Sequence, residues 1–408
     1  MKHPLLFPIL LFTLMAGAQT WTTATDMTEP VRAGNTASYA TADDGFMFVI
    51  SGRNAAGLIN KKNQRYQIST NTWTDMADHP TGRLGAASTT VKDSIYTIGG
   101  LVTTPGTLNR RVYKYSIHQN NWTQMAMLPQ GLTDALAVTY QDSLIYVVGG
   151  YTGLTFLYNT HTNQWRYATP ILPSGDLAWG GFAVKDNKLV YVCGTDGFLS
   201  PNYFNTVMVG TIDPNDRAVI TWSEGTPFPG STRTFFNAHA WKDGIIMTGG
   251  STDNTFDTHS TECYHYNTNT DTWTQLPSKP TSWNTGNSAS VLAGGEWKLI
   301  CSAGYAGGYL TQTEIFTEAD GLGIGENKSC SIRNFQITAS EIVFCSAQDE
   351  PATATIHDLH GRIIQTVTVN GTKGENRLNI PNDSLPKGVY LCTLKQGQIS
   401  ASKKWLVN

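Results

Sequence analysis

A repeat of about 50 residues runs through the first three quarters of this chain and limits its fold more than any other feature. Trp73, Trp122 and Trp273 are each followed by Thr, and seven residues later by Pro80, Pro129 and Pro280. Trp222 keeps the same interval to Pro229, and Trp165 reaches Pro173 after eight. Tyr66, Tyr115, Tyr158 and Tyr266 stand seven residues ahead of their tryptophans. A second marker alternates with the first: apolar runs end in GlyGly at Gly100, Gly150 and Gly250, with weaker copies at Gly52, Gly194 and Gly304. Glycine at a strand end suits a bend or a close backbone approach. A period of this length signals stacked or radially arranged units, none of which buries its apolar face alone.

Each unit reads as four short strands: a small-residue strand, the apolar strand ending in GlyGly, a strand holding the Tyr, and one starting at the Trp. Only 14% of residues are charged, against roughly 25% in average domains, and Thr, Asn, Gly, Tyr and Trp suit strands and turns. The expected class is all-β. GlyGly, spaced Tyr and spaced Trp in combination resemble the kelch repeat, which implies a six-bladed β-propeller over residues 19–318. Blade 4 departs furthest, with Val209 and Gly210 where Tyr is expected and Cys193-Gly194 in place of GlyGly. Gly304 is followed by a third-strand candidate, residues 310–318, but by no Trp strand. Trp21-Thr22-Thr23 is therefore expected to complete blade 6 from the N-terminal end.

The two ends carry addresses. Lys2 and His3 precede an apolar run from Leu5 to Met15 and the small residues Ala16-Gly17-Ala18, which reads as a secretory signal peptide over 1–18. No later stretch approaches a membrane span in apolar length. Residues 319–332 read as a linker, and residues 333–408 as two pairs of strands in a small β-sandwich. Three segments of this tail resemble the C-terminal sorting domain of the type IX secretion system of Bacteroidetes-like bacteria. They are an apolar-Asp-Leu-x-Gly-Arg segment (Asp358, Gly361, Arg362), a Leu-Pro-x-Gly-Val-Tyr segment (Leu385, Pro386, Gly388, Tyr390) and a terminal Lys403-Lys404 followed by apolar residues. An opening Asn-Pro is absent before Phe335, so the resemblance leaves the start of the domain open. It implies the type IX machinery as a partner, and secretion or display at the outer cell surface.

A formal charge of −3 without a Lys/Arg cluster argues against nucleic acid. None of the six cysteines has CxxC spacing, so neither a metal site nor a cofactor is expected. The string Cys263-Tyr264-His265-Tyr266 invites comparison with galactose-oxidase-like copper propellers, but Tyr266 already fills the structural Tyr position of the repeat. Propellers bind ligands at the channel mouth, so residues ahead of each first strand are the candidates. Arg83 and Arg233 occupy matched positions there, Asp176 and Trp179 come from blade 4, Trp283 and Asn284 from blade 6, and Arg32 joins them if blade 1 carries a two-residue insertion. Two readings stay open: an axial cluster whose Arg forks and aromatic faces bind an acidic sugar, another glycan or a protein, or arginines that satisfy backbone carbonyls between blades. A signal peptide with six kelch blades also resembles the sialic-acid mutarotases, which implies acid–base chemistry on a sugar; no catalytic residue carries over by motif.

Overall fold

The computed structural model describes residues 19–319 apart from 42–43, 103–107, 172–175, 198–201 and 254–256. In the tail it describes residues 335–407 apart from 338–340, 347–348, 359–360, 373, 381–384 and 398. The expected leader and all but the first residue of the expected linker lie outside the described residues. Two compact units divide between Leu322 and Gly323. Among the described residues every regular element is a strand.

The first unit is a ring of six four-stranded antiparallel sheets. Their innermost strands are Asn35–Ala40, Ala87–Val91, Ala135–Tyr140, Gly181–Lys185, Asn237–Trp241 and Asn287–Ala293. Each touches the next, and the sixth touches the first. The outermost strand of blade 6 is Gln19–Ala24, which pairs antiparallel with Tyr309–Ala319 from Gln19 opposite Glu318 to Ala24 opposite Thr313.

Bonds between blades explain the repeat. All six outer-strand tryptophans donate their indole N–H to a carbonyl of the preceding blade: Trp73 to Thr25, Trp122 to Ala77, Trp165 to Ala126, Trp222 to Thr169, Trp273 to Thr226 and Trp21 to Pro277, at 2.8–3.1 Å. Two residues before four of these tryptophans, Asn71, Asn120, Asn163 or Asp271 adopts a left-handed conformation that Asn and Asp tolerate. Its side chain accepts both the hydroxyl of the repeat tyrosine and a backbone N–H of the preceding blade. Tyr, Asn and Trp are thus one latch, repeated because the surface it meets is repeated. Blade 4 replaces it: Gly210 lies opposite Trp222, where a Cβ would stand 2.7 Å from the indole. The GlyGly marker has an equally local cause. Both residues have φ near +70 to +95° at Gly99-Gly100, Gly149-Gly150 and Gly249-Gly250, and Ser51, Cys193 and Ala303 hold the first of these conformations in the weaker copies.

In the second unit the sheet Gln336–Ile337, Glu341–Ser346 and Gly374–Asn379 faces a four-stranded sheet of Pro351–His357, Ile363–Asn370, Gly388–Gln396 and Ile399–Val407. Phe335, Ile342, Phe344 and Leu378 pack against Ala352, Ile356, Cys392 and Trp405 in one core, so the unit is a sandwich. The sequence motifs of the tail sit at its turns and edges. Asp358 accepts from the backbone N–H and guanidinium of Arg362 across a turn that places Gly361 at φ 80°. Tyr390 donates to the Pro386 carbonyl, Leu385 packs on the core and Gly388 opens the strand leading to Tyr390. Lys403 lies over the Phe335 ring at 5.5 Å, and Lys404 is exposed.

Candidate functional site

A channel of about 500 Å³ runs between the six inner strands. Inner strands of neighbouring blades are not paired by backbone, so side chains meet their free edges. Ser88, Thr90 and Ser290 donate to Thr36, Ser38 and Ala240 carbonyls at 2.6–2.9 Å. His239 bonds Ser288 at 2.8 Å, and burial pushes its pKa down to about 4. The imidazole is neutral, and hydroxyls and methyls make up most of the wall.

At the end where inner strands begin, the channel opens into a smaller cavity of about 100 Å³ with a collar of six equivalent residues: Ala33, Gly85, Asp134, Trp179, Phe235 and Thr285. All six are left-handed, with φ between 46° and 63°. Four head-to-tail backbone bonds link them at 2.6–3.0 Å: Ala33 to Thr285, Thr285 to Phe235, Phe235 to Trp179, and Asp134 to Gly85. The backbone of the collar is uniform and its chemistry is not.

One side of the mouth is aromatic and acidic. The Trp179 and Phe235 rings lie 4.2 Å apart between centroids, and Tyr151, also left-handed at φ 62°, meets Trp179 edge-on at 5.9 Å. A bulky side chain at positive φ is strained, and such strain concentrates at sites where a side chain must be aimed. Asp134 accepts from Thr133 at 3.4 Å, from Tyr151 at 3.5 Å and from the Trp179 indole. Burial nevertheless raises its pKa from 3.8 to about 6, against the pull of those bonds. Gly85 leaves the room for it, since a Cβ there would stand 2.5 Å from the carboxyl.

Folding therefore makes Asp134 a weaker acid, and the native state holds its proton more tightly than the unfolded chain. The Asp134 contribution to stability is most favourable below about pH 4, falls as pH rises toward 6, and carries its whole cost above that. Asp134→Asn keeps a residue type suited to positive φ and should unfold later than the parent at pH 7.5, by about 1–3 kcal/mol. The difference should vanish near pH 4 in paired thermal melts.

The sequence candidates fall into three groups. Trp179 is in the collar, and Arg32 is on the rim beside Ala33, its guanidinium 5.1 Å from the Tyr305 ring and 5.8 Å from Tyr309. Arg83, Arg233, Trp283 and Asn284 are buried in the walls and line neither cavity. Arg83 donates to the Thr81 and Gly82 carbonyls, and Arg233 to Gly249 and Glu262. Trp283 packs on Gly249 and Gly286, and Asn284 donates to Thr258. Asp176 is exposed ahead of the blade-4 inner strand. No axial group of arginine forks is formed, because the position of Arg83 and Arg233, two before the collar, belongs to Val31 in blade 1 and Trp283 in blade 6, and all four point into the wall. Asp134 and Phe235 line the mouth, and Tyr151 backs Asp134 and Trp179 from outside its lining, without any repeat to mark them. Tyr266 of the Cys263–Tyr266 string donates to Asp271 in the blade latch, and Cys263 is buried.

Comparison with known proteins agrees with the architecture. A kelch-motif profile matches residues 82–128, and a profile for a secretion-system C-terminal sorting domain matches residues 334–408. The solved structure of YjhT is similar over 71% of this chain and 95% of its own, with a TM-score of 0.56 at 16% identity, a likeness of fold. No curated protein matches the chain in sequence. The sorting tail directs the chain through the type IX system to the cell surface or out of the cell. Among the described residues no helix is long and apolar enough to cross a membrane.

Proposed function

Because the chain is a kelch-type β-propeller with a type IX sorting tail, we propose that it is an exported binding protein that captures a glycan at the collar of its channel. The single observation behind this reading is the group of strained aromatics around a carboxyl, Tyr151, Trp179 and Phe235 about Asp134. Aromatic faces suit the C–H faces of a sugar ring, and a carboxyl suits its hydroxyls. The wall hydroxyls below the collar would receive a second sugar unit. The leader over 1–18 belongs to the same reading. Screening the chain without its leader on a glycan array tests it. A binder should emerge whose affinity falls at least tenfold in Trp179→Ala, with an unchanged melting temperature. Full affinity in that variant, or no binder across acidic and neutral glycans, would move the reading to a protein partner.

A second reading, anomerisation of a sugar in the manner of the sialic-acid mutarotases, draws on the same carboxyl. An acid with a pKa of about 6 can both give and take a proton at neutral pH. Exchange NMR separates the two: a mutarotase speeds interconversion of sialic-acid anomers and loses this in Asp134→Asn, whereas a binder shifts ligand resonances at unchanged exchange rates.

A further inference from the structure

The repeat itself supplies a comparison for Arg83. Arg233 and Arg83 both stand two residues before a collar residue, Phe235 and Gly85. In blade 5 the buried Arg233 guanidinium pairs with Glu262 at 2.5 Å. Glu262 immediately precedes the third strand, and its carbonyl accepts from Gly249 N–H at 3.0 Å. The matching residue of blade 2 accepts from Gly99 N–H at 3.1 Å and immediately precedes Val112, but it is Arg111. The carboxylate of one blade is replaced by a cation in the other.

The Arg83 guanidinium meets two carbonyls and lies over the Tyr113 ring at 5.8 Å, but meets no carboxylate among the described residues. The residue is 1% exposed. One guanidinium nitrogen donates to the Thr81 and Gly82 carbonyls, while Nη2, the atom that in Arg233 meets Glu262, is buried without a partner. Thr81 Oγ1 and the side chain of Asn60, whose carbonyl lies against Gly82, are also buried and unpartnered. Burial lowers the Arg83 pKa, Tyr113 opposes this, and Arg111 adds to it. A buried charge without a counter-ion is costly enough that proteins rarely keep one.

We infer that Arg83 and Arg111 form an anion site on blade 2 that takes a carboxylate from a ligand, in the place that Glu262 fills in blade 5. In blade 5 the Glu262 side chain that fills this place is 38% exposed, so the place borders solvent. The guanidinium fork fits a carboxylate in two-point contact, and the exposed Arg111 would close over it. Nothing in this step depends on the collar, so the two sites fail separately.

Thermal melts of the full chain at constant ionic strength test the inference, with sodium glucuronate, sodium acetate and glucose as probes. Glucuronate at 100 mM should raise the melting temperature by roughly 3 °C over chloride, and glucose should not. An equal rise with acetate assigns the site to a carboxylate alone, and a rise confined to glucuronate assigns it to an acidic sugar. Arg111→Glu, which rebuilds the blade-5 pair, should melt higher than the parent without any ligand and lose the glucuronate response. Trp179→Ala should retain that response. An Arg111→Glu variant with an unchanged melting temperature, or a parent that answers glucuronate no more than glucose, would overturn the inference.

Discussion

A chain shortened to begin at Thr25 should melt at least ~10 °C below the parent and associate through an open sheet edge. The lost strand, Gln19–Ala24, holds more of the ring than its length suggests. It pairs along its whole length with Tyr309–Ala319, and Trp21 donates to Pro277 of blade 5 and stacks on Phe316. Gln19 reaches Glu318, which also receives Lys242 at 2.7 Å and the Trp241 indole at 2.9 Å. One carboxylate thus ties the closing strand to blade 5 and to the end of the ring. Without the strand, Glu318 loses one donor, Phe316 loses the Trp21 ring, and the six residues Thr313 to Glu318 lose their strand partner. The second seam, where Asn287 accepts from Gly34 and donates to the Val31 carbonyl, survives the deletion. The expected product is therefore an opened ring with folded blades, which sheet content by circular dichroism can establish. A peptide of residues 19–26 added in trans should recover much of the lost stability. An unchanged melting temperature for the shortened chain would remove closure as a source of stability.

Legibility in the sequence followed from what each residue bonds to. Trp73, Asn71 and Tyr66 meet a neighbouring blade, and since every blade has such a neighbour the three recur with fixed spacing. The collar meets the channel, a single space shared by six blades, so its residues have no reason to match. Ala33, Gly85, Asp134, Trp179, Phe235 and Thr285 share a conformation and no chemistry. Asp134 and Tyr151 could be found only by asking which residue fills a known backbone position in each blade. Arg83 and Arg233 occupy matched positions, and matching marks a part of the wall. Repetition reveals the scaffold, and in a ring of this kind its absence marks the mouth. Arg83 is informative for a different reason: its own position repeats, and its partner's does not.

The same logic predicts a costly small substitution in the ring. Gly249→Ala should destabilise the propeller by about 3–5 kcal/mol, although Ala303 occupies the equivalent position in blade 6 without difficulty. Both positions are left-handed, at φ 72° and 53°, so backbone strain of about 1 kcal/mol is common to the two. The difference lies in the following blade. The residue two before the collar leans back under this position, and it is Val31 beneath Ala303 but Trp283 beneath Gly249. A Cβ on Gly249 would stand inside the indole, against Nε1 and Cδ1, and Trp283 is only 2% exposed. The ring cannot yield easily. Gly286 packs on its other edge, and the Lys279 ammonium, paired with Glu314, lies over it at 4.8 Å. Trp283→Val alone should cost about 3 kcal/mol for the volume removed. In the Gly249→Ala/Trp283→Val double variant, which reproduces the Ala303 and Val31 pair, the two losses should sum to less than their separate values by at least 1 kcal/mol. Strict additivity in that cycle would mean that Gly249 is required by its backbone conformation alone. Coupling would show that the glycine of the repeat is chosen by the side chain that the next blade places beneath it.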